Sequence, residues 1–501
     1  MERKTDRCRQ QGGINMAGVG VKLNRIFGKK SIAADIVGFT YSIIITIAPV
    51  LLIIGTILLM GLVLGFNETD YLTRELFSCT ILYTFVFALL TVSPFNAVLS
   101  KYMQDAIYEE RFQDILPCYY LGLTMNMILT CLLGIPFCLW EHFVGGVEVF
   151  YVFCGFCSYI SMTFVFYSLV YLSICKDYER LFVFFFTGMA IAFILCLFLN
   201  FRCGWELTRS MLLSLTIGFF LIAAMEFAAV KRYFKKSSNR YKPVLGYFKK
   251  WWQLVVTNFF YIFGLYVHNF VFWTHETRSV IVRSFVYNQP YDMASCLAMF
   301  TNISATIIFI TNIEMHFHEK YKSYSEAVIG GKKADIENAK KRMFRQLSSE
   351  LMNLVRIQFI ISVVVYLLCV VFLPRFGFAG SVLRIYPCLA VGYFILFLMY
   401  AAILFMYYFN DLPGAVISTL SFFVTTLIGS IFAMNLSEIW YGAGLVVGAF
   451  VGWSVAYARL RWIEKNLDTH VFCSGQLLKW GSGPKPSDLV YKKQRTVDSK
   501  A

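Results

Sequence analysis

The 501 residues are 58% hydrophobic and only 15% charged, with a mean hydropathy of +0.62. That mix excludes an ordinary soluble globular domain, in which about a quarter of residues are charged. A formal net charge of +15 would suggest nucleic acid in a soluble protein. In a chain dominated by apolar runs it is expected to face anionic lipid headgroups, and no nucleic-acid partner is expected.

Residues 1–15 are polar and lack the short apolar core of a cleavable signal. A second start, Met16, opens MAGVGVKLNRIFGKK, which reads as an interfacial helix. Val19, Ile26 and Phe27 can meet acyl chains while Lys22, Arg25 and Lys29 reach headgroups. Twelve apolar stretches follow, at roughly 38–64, 76–99, 117–140, 148–174, 181–201, 208–230, 251–274, 293–315, 350–373, 384–409, 414–434 and 439–458. Each approaches or exceeds the ~20 residues that cross a bilayer as helix. With the N-terminus inside, the inner segments carry 37 of the 45 Lys and Arg, and the outer loops with the span ends that border them (Arg209, Arg384) carry 7, with Arg356 inside a span. The positive-inside rule therefore predicts both ends in the cytoplasm. The expected fold is an all-α polytopic membrane protein of about twelve transmembrane helices in two six-helix lobes.

The expected organisation is a cytoplasmic segment at 1–35, an N-lobe at 36–230, a basic linker at 231–250, a C-lobe at 251–458 and a cytoplasmic tail at 459–501. Such a 6 + 6 plan puts a pathway between the lobes. The C-lobe contains a cytoplasmic loop at 316–349, broken by Gly330 and Gly331. After them, ADIENAKKRMFRQLSSEL reads as a mixed-charge helix running into the ninth span, with Lys332, Lys333, Lys340 and Lys341 as candidates for docking a cytoplasmic partner.

Catalytic signatures are missing. No G-x4-GK[ST] phosphate cradle occurs, and no nucleophile–base or paired-carboxylate motif stands out. Cys154 and Cys157 form a CxxC in an apolar run without nearby His or charge, and read as packing residues. EMHFHE at 314–319 reads as an interfacial helix end, not a metal site. The outer loops are too short for an extracytoplasmic domain. No cofactor, no metal and no enzymatic activity are expected.

Polar side chains inside spans are costly unless they face a cavity or a partner. The candidates for a substrate pathway are Pro49, Asn96, Asn258, His268, Asn269, Asn302, Glu314 and Arg356. Pro49 is expected to kink the first span and free carbonyls. Glu226, near the inner end of the sixth span, is read as a helix-end charge reaching for headgroups.

Several segments together carry a family resemblance. They are MAGVGVKLNRIF, SKYMQDAIYEERFQDILP (100–117), YIFGLYVHNFVFW (261–273), QPYDMASCLAMFTNISA (289–305), IEMHFHEKYKSYSEAVIGGKKADIENA (313–339) and RWIEKNLDTHVFCSG (461–475). In them the chain resembles the PelG family, membrane transporters of the Pel exopolysaccharide system within the MOP flippase superfamily. The resemblance runs from about Met16 to about residue 480. It departs at His268, where the family pattern carries an acidic residue. The resemblance implies two six-helix lobes around a cavity with alternating access, in the bacterial cell membrane. It implies a polymer rich in amino sugars as substrate. The implied partners are a cytoplasmic glycosyltransferase, a membrane-bound cyclic-di-GMP receptor and further Pel membrane subunits. Two rivals stay open: a lipid-linked oligosaccharide flippase or small-molecule antiporter of the same superfamily, and a non-transporting scaffold for the synthase.

Overall fold

The computed structural model describes residues 32–175, 177–308, 314–372, 374 and 380–467, and they are helical almost throughout. The expected surface helix after Met16, and the tail from residue 468, lie outside the described residues. The helices are α1 Ile32–Leu64, α2 Tyr71–Tyr108, α3 Ile115–Phe143, α4 Val149–Ile174, α5 Tyr178–Phe201, α6 Leu207–Tyr233 and a short α7 Lys242–Lys250. Then come α8 Trp252–Phe272, α9 Gln289–Ile308, α10 Glu314–Gly330, α11 Lys333–Phe372, α12 Gly380–Tyr408, α13 Leu412–Ala433 and α14 Ala443–Leu467. Ten of them, α2–α6, α8 and α11–α14, are long and apolar enough to cross a membrane. Helices α1 and α9 stand where the sequence puts its first and eighth apolar stretches.

Local chemistry explains the helix ends and interruptions. Asp70, Asp177 and Asp411 cap α2, α5 and α13, their carboxylates accepting backbone N–H groups of Leu72, Arg180 and Gly414. Pro94 sits inside α2 and cannot donate to the Leu90 carbonyl four residues back. The Ser93 hydroxyl donates to that carbonyl instead, at 2.8 Å. Gly330 and Gly331 separate α10 from α11, and α11 runs unbroken for 40 residues from the mixed-charge segment into its apolar half.

The segment 275–292, between the seventh and eighth apolar stretches, is structured. Strands β1 Ser279–Ile281 and β2 Phe285–Tyr287 form an antiparallel hairpin, and α9 already begins at Gln289. The hairpin turn puts Val282 and Arg283 at φ 50° and 58°. A tight turn of this hand favours Asn-Gly, and a β-branched residue at positive φ is strained.

Packing follows the chain order. Helices α1–α6 pack on one another, through α4 on α6, α5 on α6, α2 on α4 and α1 on α5. Helices α8, α9 and α11–α14 form the second group, through α13 on α14, α12 on α14, α8 on α13 and α9 on α12. The groups meet chiefly where α8 lies along α2, with a smaller contact of α1 on α9. In the second group, Gly444, Gly448 and Gly452 let α14 approach α13 closely. A Cβ on Gly448 would collide with Thr426 Oγ1 and lie 2.8 Å from Thr426 backbone. Small residues at this spacing are a standard way to join helices in lipid, where no hydrophobic force drives association.

Candidate functional site at the junction of the two halves

The α2–α8 seam has two ends, one at the β-hairpin and one at α7. At the hairpin end, Tyr83 of α2 stacks on Trp273 with centroids 5.0 Å apart and planes at 6°. Its hydroxyl donates to the Val286 carbonyl at 2.7 Å and accepts the Val286 N–H at 3.1 Å. The Tyr287 hydroxyl bonds the buried Glu75 carboxylate of α2. The strained turn rests on the α3–α4 connection. A Cβ on Gly145 would come within 3.0 Å of both the Val282 carbonyl and Ser284 Oγ. A segment from the second half of the chain thus clasps the first half.

Midway along the seam, the Asn258 side-chain amide donates to the Ser93 carbonyl of α2. At the α7 end, Lys101 pairs with Asp105 at 2.7 Å and lies over the Trp251 ring, and Tyr247 donates to Asp105 at 3.3 Å. Val98, Leu254 and Leu412 close this end with an apolar cluster.

Behind the seam lies a buried polar network joining α8, α9 and α12. His268 Nδ1 meets the Tyr291 hydroxyl at 2.8 Å and Nε2 meets the Tyr393 hydroxyl at 3.4 Å. Tyr393 also contacts Ser295 at 2.8 Å, and Ser295 donates to Asn269 Oδ1 at 3.4 Å. The Asn269 amide donates to Asp292 Oδ1 at 2.7 Å. Asp292 Oδ2 accepts Trp273 Nε1 at 2.9 Å and the Asn288 N–H at 3.0 Å. Three donors therefore hold one buried carboxylate, the arrangement that makes such a group tolerable away from water. Trp273 belongs to both systems, since its ring stacks on Tyr83 of the first half while its N–H holds Asp292 of the second.

A second buried cluster ties α9, α11 and α12. The Gln358 amide donates to Asn302 Oδ1 at 3.2 Å and to the Thr301 carbonyl at 3.1 Å. Asn302 donates to Ala298 O at 3.0 Å and Ala390 O at 3.4 Å, and Thr301 contacts the Tyr386 hydroxyl at 2.8 Å.

Among the sequence candidates, the structure brings His268 and Asn269 into one network, puts Asn258 on the seam and puts Asn302 in the second cluster. Pro49 lies buried within α1. Asn96 is half-buried on α2, its Oδ1 without a partner among the described residues. Arg356 is exposed on α11. Glu314 opens α10, and its side chain lies outside the described residues, as do those of His316, His318 and Glu319. Lys332, Lys333 and Lys341 are exposed and Lys340 half-buried at the start of α11. Glu226 does not reach for headgroups, because it is fully buried. Asp292, Gln358, Glu75, Tyr83 and Trp273 escape the sequence reading. For Asp292 the signal is the acid two residues after Pro290, a helix-start pattern. For Gln358 it is a lone amide in an apolar run.

The fold has well-covered relatives at low identity. An outward-facing multidrug-resistance MATE family transporter of the MOP superfamily matches with TM-score 0.55 and 13% identity, over 85% of this chain and 96% of that one. An inward-facing structure of such a transporter matches at 0.53 and 13%, over 79% and 91%. A MOP superfamily transporter from Pyrococcus furiosus, described by the reverse polarity of its binding pocket, matches at 0.52 and 14%, over 85% and 95%. No curated protein matches the chain. The profile of the family described as "PelG: Putative exopolysaccharide Exporter (EPS-E)" matches residues 16–472. This multi-pass membrane protein has a MOP transporter fold and belongs to the PelG family.

Proposed function

We propose that the protein exports an exopolysaccharide, a Pel-like polymer rich in amino sugars, across the bacterial cell membrane. The observation that carries this reading is the family match over almost the whole chain. The seam supports it physically. Two helical groups meet along α2 and α8, with separate closures at the hairpin end and the α7 end, and a path between them opens by parting one closure at a time. In this reading residues 36–230 and 251–458 are the two lobes, 231–250 is their cytoplasmic linker, and the hairpin faces outward. Asn258, His268, Asn269 and Asn302 support the path wall, and the α10–α11 segment with Lys332, Lys333, Lys340 and Lys341 docks the cytoplasmic glycosyltransferase. The cyclic-di-GMP receptor and other Pel membrane subunits are the further partners.

The test measures matrix polysaccharide inside and outside cells lacking the gene, then restored with the natural gene or with Glu at those four lysines. Export is expected to vanish on deletion and return with the natural copy. The Glu variant is expected to lose the synthase from purified membranes. Unchanged secretion after deletion would sink the polysaccharide reading in favour of a small-molecule antiporter or lipid-linked oligosaccharide flippase. Synthase binding without export in vesicles would favour a scaffold.

A further inference from the structure

The first half of the chain holds an acid that the seam does not use. Glu226 lies on α6 about two turns before Tyr233. It is fully buried, and among the described residues neither carboxylate oxygen has a hydrogen-bond partner. Among the described residues, no charged side chain of α2, α4 or α5, the helices packed against α6, pairs with it.

The groups near it are hydroxyls. The Tyr119 ring of α3 lies 6.0 Å from that of Phe227, the residue after Glu226, and its phenol meets Ser168 Oγ of α4 at 2.7 Å. Tyr167 stands 3.1 Å from the Tyr119 carbonyl and 2.9 Å from the Tyr171 hydroxyl, which meets Cys118 Sγ at 3.3 Å. The titratable groups facing Glu226 are therefore the Tyr119 phenol, with the Tyr167 and Tyr171 phenols and the Cys118 thiol behind it.

An ionised carboxylate in such a place is strongly disfavoured without a counter-charge or donors. Elsewhere the chain supplies them. Asp411 takes a two-pronged contact from Arg459 at 2.6 and 3.0 Å, and Asp292 takes three donors. Glu226 has neither. Its charge is neutralised by a proton or by a mobile metal cation. A hard cation wants about six oxygen ligands, and one carboxyl beside a few phenols does not supply them. The surroundings suit a proton.

We propose that Glu226 is an exchangeable proton site that the first half of the chain loads and unloads during transport. The acid gives its proton to water when the helices part and takes one back from water on the other side before they close. The coupling role rests on the transporter reading; the proton site itself does not.

Infrared spectroscopy of the full-length protein in proteoliposomes, in H2O and D2O across a pH series, reads the carboxyl directly. The expected result is a carboxylic-acid band that shifts in D2O, persists where ordinary carboxylates are ionised, and is absent from Glu226→Gln. A hydrophobic carbodiimide should label Glu226 in the wild-type protein, detected by peptide mass. In cells, Glu226→Gln should cut polymer secretion tenfold or more, while Glu226→Asp keeps a measurable part. No band belonging to Glu226, and no labelling, overturns the proton site. A band present with wild-type secretion by Glu226→Gln overturns the coupling role and leaves an inert acid. Should the Gln variant not reach the membrane, the wild-type spectrum, the labelling and the Asp variant decide. Should gene deletion leave secretion unchanged, the polysaccharide reading fails while the infrared result still decides the proton site.

Discussion

Asp292 shows how much one buried atom can constrain. Its two oxygens share three donors from Asn269, Trp273 and Asn288, so they serve α8, the segment after the hairpin and α9 at once. Asp292→Asn keeps the shape but turns one oxygen into an NH2 group, which must then face a donor. Leaving a buried donor unpaired costs about 1–3 kcal/mol. The thermal midpoint of the purified variant should fall accordingly; an unchanged midpoint would mean that the network is not tightly held. The sequence makes half of this site legible. His268 and Asn269 stand out as a polar pair in an apolar run. Asp292 does not, because a span located by apolar content starts after the last charge, whereas the helix starts before it, at Gln289. The burial of Glu226 is illegible in the sequence for a different reason. Distance from Lys231 measures depth along a helix, but burial depends on which face the residue occupies.

At the scale of elements, the contact of α14 on α13 is the most exacting. Any side chain at Gly448 collides with Thr426 side chain and backbone, so the helices must separate to admit even a methyl. Gly448→Ala should cost about 1–3 kcal/mol, the usual range for overpacking. Gly55 on α1, with nothing within 4 Å of a new Cβ, is the control, and Gly55→Ala should be neutral. Equal unfolding midpoints for the two variants in detergent would show that the α13–α14 contact relaxes freely. The glycines at 444, 448 and 452 are visible in the sequence, but only packing tells which apolar stretch they face. Apolar length located the helices well, and the Gly330–Gly331 break was equally legible. The hairpin was not, since nine residues with a Val–Arg turn give no ordinary turn signal. Its fold is held by what it touches, chiefly Tyr83, Glu75 and the backbone near Gly145.

For the whole molecule the consequence is directional. The hairpin follows α8 in sequence yet is bonded to α2, so the halves cannot part at that end without breaking Tyr83–Val286, Tyr287–Glu75 and the Tyr83–Trp273 stack together. The α7 end depends instead on a small apolar cluster, the Tyr247–Asp105 hydrogen bond and Lys101 over the Trp251 ring, and half-exposed contacts of this kind contribute at most about 1 kcal/mol each. The hairpin end is therefore the stronger closure in this conformation, and the α7 end should open first. Cysteines replacing Glu75 and Tyr287, joined by a reducible bifunctional thiol reagent, would hold the clasp shut. If transport requires the hairpin to leave α2, cross-linking should stop polymer secretion and a reductant should restore it, while each single-cysteine protein stays unaffected by the reagent. Full secretion from the cross-linked protein would mean that the hairpin travels with α2 throughout, and the moving boundary would then lie between the hairpin and the rest of the second half.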